Sequence, residues 1–160
     1  MTEQPKEVTI YTDGACRGNP GPGGYGVVLL YQGRRKELSG GYRETTNNRM
    51  EMTAAIAGLK MLKESCQVTL YSDSAYLVKA MTEGWARKWR QNNWRRTRKE
   101  KALNPDLWEE LLRLCDEHQV EFQWVKGHAW SEENARCDQL AWEAAGQPDL
   151  PDDHGYHRKP

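Results

Sequence analysis

Along the chain, apolar and polar positions alternate with a period of two, shift to a period of three to four, and alternate again. Val8-Thr-Ile-Tyr-Thr12 alternates and is rich in β-branched residues, which predicts a strand ending at Asp13. The run GACRGNPGPGG that follows reads as a loop by composition. Gly26–Tyr31 reads as a second strand, Gln32-Gly33-Arg34 as a turn, and Lys36–Tyr42 as a third strand. Links this short predict an antiparallel meander. Met52, Ile56, Leu59 and Leu62 then recur at spacings of 4, 3 and 3, one face of a helix from Asn47 to about Lys63. Gln67–Ser72 predicts a fourth strand ending at Asp73, with a short helix to Met81 behind it.

The segment from Trp85 to Lys101 reads as part helix and part loop. Asn104-Pro105 offers an N-cap followed by proline at the first helical position, and Trp108, Leu111, Leu112 and Cys115 fall at core spacing behind it. Val120–Val125 predicts a fifth strand, Gly127–Trp130 a loop and Glu132–Ala145 a final helix. The tail from Gln147, with Pro148, Pro151 and Asp152-Asp153, reads as frayed and flexible. The order β-β-β-α-β-α-α-β-α predicts a single α/β domain over residues 1–160, with its core over about 6–146 and a mixed sheet.

Length and composition narrow the classes. The chain has 160 residues, 38% hydrophobic and 29% charged, which suits one domain with one core. No run of 18 apolar residues exists and no basic start precedes an apolar stretch, so the expectation is a cytoplasmic protein, monomeric by default, with no membrane partner. Cys16, Cys66, Cys115 and Cys137 show no C-x-x-C spacing and read as reduced, mostly core-packed thiols.

Charge changes the picture. Lys plus Arg and Asp plus Glu both number 23, a net of zero that argues at first against a polyanion. Yet Arg87–Lys101 holds 8 basic residues against Glu100 alone, and Glu109–Pro160 holds 5 basic against 12 acidic. The basic block interleaves Trp85, Trp89 and Trp94 with Arg87, Lys88, Arg90, Arg95, Arg96, Arg98 and Lys99. Burial of the tryptophans beneath a solvated basic face is the plain reading of such a block. Aromatic platforms among cations are also what a nucleic-acid backbone requires, and density favours that second reading.

The candidate chemistry lies in carboxylates. The first and fourth strands end alike, as Tyr11-Thr12-Asp13 and Tyr71-Ser72-Asp73. Either Asp alone reads as a loop or helix cap. If the strands are parallel neighbours, both project from the C-terminal sheet edge, where sites of open α/β sheets form. Paired carboxylates repel unless a proton or cation lies between them, and an oxygen-only donor set suits Mg²⁺ or Mn²⁺ better than zinc. Asn47 and Asn48 share a helical face with Glu51, and Asn134 shares one with Asp138. Both acids sit beside apolar neighbours, where an unpaired charge is costly and a shared metal relieves it. His128, in the loop before Asn134 and Asp138, has the pKa range for proton transfer at neutral pH. Gly21-Pro-Gly-Gly-Tyr-Gly26 matches G-x-G-x-x-G but leads into a strand, which excludes a dinucleotide site.

Taken together, YTDGACRGNPGPGGYG, TTNNRMEMTAA, LYSDSAY, the Trp-rich basic stretch and WVKGHAWSEENARCDQLA resemble the bacterial type-1 ribonuclease H family from about Val8 to Ala145. The resemblance implies a ribonuclease H-like fold: a five-stranded mixed sheet, three antiparallel strands then two parallel, flanked by helices. It implies endonucleolytic hydrolysis of the RNA strand of an RNA–DNA hybrid, leaving 3′-hydroxyl and 5′-phosphate ends. Metal ligands would be Asp13, Glu51, Asp73 and Asp138, holding two Mg²⁺ ions for which Mn²⁺ can substitute. His128 would assist proton transfer or product departure. Asn19, Asn48 and Asn134 would follow the RNA strand, and Thr46, Asn47 and Arg49 would form a pocket for a DNA-strand phosphate. Trp85, Lys88, Trp89 and Arg95 would belong to the basic protrusion that grips the DNA side. The sequence departs from the family pattern at Ala75, at Trp130 and at Gly84, an apparent insertion. A DNA-directed nuclease of the same superfamily and a non-catalytic nucleic-acid-binding module are the alternatives.

Overall fold

In the computed structural model, which describes residues 5–126 and 131–157, five strands form one sheet in the order β3-β2-β1-β4-β5. The strands β1 (Lys6–Cys16), β2 (Gly21–Tyr31) and β3 (Arg34–Thr45) make the antiparallel meander. β4 (Cys66–Ser72) runs parallel to β1, and β5 (Gln119–Trp124) runs parallel to β4. The register pairs Tyr11 with Tyr71 and stacks their rings at 4.9 Å, so Asp13 and Asp73 lie two residues further along at the same sheet edge.

Five helices complete the fold: α1 (Asn47–Lys60), α2 (Ala75–Thr82), α3 (Trp85–Gln91), α4 (Pro105–Glu117) and α5 (Glu132–Ala145). α1 packs over Ile10 and Val27, closest at Gly58, while α5 packs on the opposite face over Gly24 and Gly26. The core between the sheet, α1 and α4 includes Ile10, Met52, Leu59, Leu70 and Trp108, each fully buried. Trp108 meets the rings of Tyr76 and Trp89 edge-on at 5.4 and 5.9 Å.

Several boundaries differ from the sequence reading. The glycine-rich run is mostly strand: β1 continues to Cys16 and β2 begins at Gly21, with Ala15 opposite Gly24 and Cys16 opposite Gly23. Glycine is needed there because a Cβ on Gly24 or Gly26 would collide with the main chain of α5. α1 ends at Lys60 because Met61 N–H turns back to the Gly58 carbonyl in a tightened last turn. The basic segment holds one short helix, α3, entered through Gly84 at φ +78°, a left-handed conformation that favours glycine at this position.

Asn104 caps nothing with its side chain. Its backbone is left-handed, and its Oδ1 accepts instead from Arg49 Nη1 at 3.2 Å. The tail is not frayed over residues 147–157. Arg43 N–H donates to the Pro151 carbonyl at 2.8 Å, and Asp153 accepts from Thr45 Oγ1 at 2.6 Å and from Arg49. Among the described residues no helix is long and apolar enough to cross a membrane, and the four cysteines are free thiols.

Candidate active site

Parallel pairing of β1 with β4 brings Asp13 and Asp73 together, and α1 adds Glu51. Carboxylate oxygens of these three lie within 4.8 Å of one another, Asp13 and Glu51 buried and Asp73 exposed. Gly14 makes the approach possible, since a Cβ there would stand 2.5 Å from Glu51 N and 2.6 Å from Met50 C. Gly14 N–H donates to Asp13 Oδ1 at 2.8 Å and Glu51 Oε1 at 2.7 Å, fixing both acids from one backbone group. Ser72 Oγ donates to Glu51 Oε2 at 3.4 Å and accepts from Ser74 N–H at 3.1 Å. Asp138 lines the same cleft, of about 400 Å³, with Asn47, Asn48 and Tyr76.

The cluster is electrostatically frustrated on its own. Burial raises the Asp13 carboxyl to about 7; the Glu51 contact works against this, and the charges of Asp73 and Asp138 add to it. Burial, then repulsion by Asp13 and Asp73, holds Glu51 well above the ordinary carboxyl range. Both carboxyls therefore hold a proton to higher pH than ordinary ones. An all-carboxylate donor set, half of it desolvated and holding a proton it would otherwise lose, fits a hard divalent cation in place of that proton.

The amide candidates surround the cleft. Asn47 and Asn48 are exposed on its wall, and Asn19 Oδ1 accepts from Asn47 N–H at 3.1 Å, tying the β1–β2 turn to the start of α1. Asn134 is half-buried in the first turn of α5, its N–H held by Ser131 Oγ at 3.1 Å, outside the lining of the cleft. His128 and Trp130 lie outside the described residues.

Of the predicted grouping of Thr46, Asn47 and Arg49, the first two sit together at the start of α1, while the Arg49 side chain is engaged elsewhere. Thr46 Oγ1 caps α1 by accepting from Arg49 N–H at 3.2 Å. The Arg49 guanidinium turns inward and is 3% exposed. Its Nε and Nη2 donate to Asp153 at 2.7 and 3.0 Å, its Nη1 and Nη2 to Asp106 at 2.9 and 2.7 Å, and Nη1 also reaches Asn104. All five N–H donors are satisfied within the fold, so none remains for a phosphate. Burial alone would loosen the Arg49 proton, but the bonds to Asp106 and Asp153 hold it above the usual range.

The basic segment lies on α3 and the loop behind it. Trp85 is 39% exposed, whereas Trp89 and Trp94 are half-buried against the core, so one open aromatic platform is offered where three were legible. Arg87 pairs with Asp116 and Arg96 with Glu100. Lys88, Arg95, Arg98 and Lys99 are exposed and have no carboxylate partner among the described residues. Sequence reasoning missed Trp124, whose Nε1–H donates to the Asp73 main-chain carbonyl at 3.2 Å while half its surface stays open. Its position as the last residue of β5, level with Ser72, is the signal that pointed there.

Comparison with known proteins agrees with this geometry. The RNase H family model matches residues 5–146. A Ribonuclease H of Desulforamulus reducens is 68% identical over 146 residues, covering 91% of this chain and 92% of that one. LC9-RNase H1, a type 1 RNase H with the type 2 active-site motif, superposes with a TM-score of 0.80 at 32% identity, over 91% of this chain and 75% of that chain. LC11-RNase H1, solved in complex with RNA/DNA hybrid, superposes with a TM-score of 0.67 at 28% identity, over 86% of this chain and 96% of that chain.

Proposed function

This chain belongs to the ribonuclease H family, and from that premise we propose how its residues divide the work of cutting. The reaction is hydrolysis of the RNA strand of an RNA–DNA hybrid. The observation that carries the site is the gathering of Asp13, Glu51 and Asp73 within 4.8 Å, with Asp138 on the same cleft. Asp13, Glu51, Asp73 and Asp138 would hold two Mg²⁺ ions, which supply Lewis-acid charge to orient the attacking water and stabilise the leaving 3′-oxygen.

The chain's own groups prepare that arrangement. Gly14 N–H and Ser72 Oγ hold the Glu51 and Asp13 oxygens in place, and Trp124 holds the main chain at Asp73. A bound cation would favour the ionised forms of Asp13 and Glu51. Asn48 presents its amide on the cleft wall, where a donor–acceptor group reads 2′-hydroxyls of the strand to be cut, and Asn47 beside it, with Thr46, would take a phosphate of the DNA strand. Trp85, Lys88, Trp89 and Arg95 bear on the partner strand, Trp89 chiefly by bracing the helix on Trp108. His128 is assigned to proton transfer by its place before α5. A cytoplasmic monomer is the working state of this reading.

Incubating the protein with labelled RNA–DNA hybrid, duplex RNA and duplex DNA, with and without Mg²⁺, tests it. The expected result is Mg²⁺-dependent cutting of the hybrid's RNA strand to 5′-phosphate products, abolished in Asp13→Asn. Cutting of duplex DNA would favour the DNA nuclease, and salt-sensitive binding without turnover the non-catalytic module.

A further inference from the structure

β3 and α1 are joined by a single residue. Thr45 closes the strand, Asn47 opens the helix, and Thr46 between them is extended at φ −125°. The setting of this junction decides where the first turns of α1 present Asn47, Asn48 and Glu51 to the cleft. Successive helical residues lie about 100° apart around the axis, so Asn48 is about 60° from Glu51 and Arg49 about 200° from it. Arg49 therefore leaves the rear of the turn whose front carries Asn48 and Glu51, and whatever holds Arg49 aims that front.

One carboxylate grips both sides of the junction. Asp153 Oδ2 accepts from Thr45 Oγ1 on the strand at 2.6 Å and from Arg49 Nε on the helix at 2.7 Å, and its Oδ1 accepts from Arg49 Nη2 at 3.0 Å. Burial would raise the Asp153 carboxyl, yet the bonds from Arg49 and Thr45 hold it below the ordinary range, so it stays a charged acceptor. The tail that carries Asp153 is itself fixed. Arg43 N–H donates to the Pro151 carbonyl at 2.8 Å, and Tyr156 N–H returns to the Asp153 carbonyl at 3.0 Å. A Cβ on Gly155 would collide with the Asp106 carboxylate and the Arg49 guanidinium, so the tail closes directly over the brace.

On the cleft side the same turns are unequally secured. Glu51 has bonds of its own, from Gly14 N–H at 2.7 Å and Ser72 Oγ at 3.4 Å. Asn47 is tied only by its main chain, to Asn19 Oδ1, and among the described residues no hydrogen bond holds the Asn47 or Asn48 amide side chain. Loosening the rear brace therefore disturbs the two amides before it disturbs the carboxylates.

We propose that Asp153 is a positioning residue for the reaction: by bracing Thr45 to Arg49 it sets the first turn of α1, and with it the angle at which Asn48 meets the RNA strand and Asn47 the DNA strand. The inference rests on the hybrid-cleaving function proposed above. It gives the segment after α5 a share in substrate recognition, although no residue of that segment touches the hybrid in this arrangement.

Steady-state cleavage of labelled hybrid and amide hydrogen exchange, both on the full chain, test this in Asp153→Asn and Thr45→Val, with the core variant Leu112→Ala as a control for lost stability. Thr45→Val removes the strand side of the brace without stranding a charge, so it carries the test if Asp153→Asn does not fold. Both brace variants should raise KM about fivefold, the worth of one hydrogen bond at about 1 kcal/mol, and leave kcat within about twofold. Leu112→Ala should leave KM unchanged. Met50 N–H, bonded to the Thr46 carbonyl at 3.1 Å, should exchange about tenfold faster in the brace variants. Ala135 N–H, bonded to the Ser131 carbonyl at 3.1 Å in the corresponding turn of α5, should not. An unchanged KM, a loss confined to kcat, an equal rise of KM in Leu112→Ala, or equal acceleration at both amides would each overturn the proposal. The exchange contrast needs no turnover, so it separates failure of the brace from failure of the hybrid-cleaving reading.

Discussion

The raised carboxyls of the cluster make metal loading a pH-dependent event, and the effect can be sized. Burial, chiefly, places the Asp13 carboxyl at about 7 in the metal-free protein. A cation entering at pH 5.5 must then displace a proton, at about 1.4 kcal/mol for each unit below 7. That is about 2 kcal/mol, or roughly a 30-fold loss of Mg²⁺ affinity between pH 8 and pH 5.5. Glu51, raised for the same reason, acts in the same direction. Calorimetric titration of Mg²⁺ in two buffers of different ionisation enthalpy should find about one or more protons released per site at pH 5.5. The share owed to Asp13 should vanish by pH 8 and be absent from Asp13→Asn.

The same shift fixes a sign for stability. Because the folded carboxyl binds its proton more tightly than the unfolded one, its contribution is full below about pH 4 and fades as pH rises through 7. Its size is at most about 4 kcal/mol from the same conversion. Metal-free wild type should therefore lose stability relative to Asp13→Asn across that window, read as the difference of their urea midpoints, and saturating Mg²⁺ should reverse the trend. Affinity for Mg²⁺ independent of pH, or a wild-type minus Asp13→Asn difference that stays flat, would refute the argument.

Other outcomes follow from the contacts around the site. Arg49→Met leaves Asp153 buried without its partner and should cost about 3–5 kcal/mol in urea denaturation; a loss under about 1 kcal/mol would show the network to be idle. Lys88→Gln with Arg95→Gln should reduce the salt dependence of kcat/KM by about two phosphate contacts, a slope change of about 1.8, with kcat little altered; an unchanged slope would remove both from the hybrid's path. Trp124→Phe loses the bond to the Asp73 carbonyl, worth about 1 kcal/mol. It should lower kcat about fivefold with little change in thermal midpoint, since the ring is half exposed, and an unaltered kcat would leave Trp124 with a purely structural role.

Much of the architecture was legible because it rests on local pattern. The alternation in Val8–Thr12 and the three-to-four spacing from Met52 to Leu62 each name an element from its own residues. The matching ends at Asp13 and Asp73 needed only parallel pairing to become a site, and β1 and β4 are parallel neighbours. The glycine-rich run misread as loop because three of its glycines answer to distant elements, Gly14 to α1, Gly23 to Thr45 and Met50, and Gly24 to α5 over a hundred residues away. The tryptophans of the basic block could not be divided from sequence either. Trp85 and Trp89 share a spacing, and only the position of Trp108 draws one ring inward.

The sequence by itself determined the elements, their order, the four acids and the hidden charge asymmetry, because propensity, periodicity and residue chemistry are written position by position. Tertiary structure alone decided where Arg49 points and what the tail does. Arg49, Asp106 and Asp153 are separated by up to 104 residues, and their bonds exist only once α1, α4 and the tail converge. A buried guanidinium must satisfy all five of its donors. Where three chain segments supply those acceptors, an arginine that reads as a phosphate ligand becomes a cross-brace of the fold.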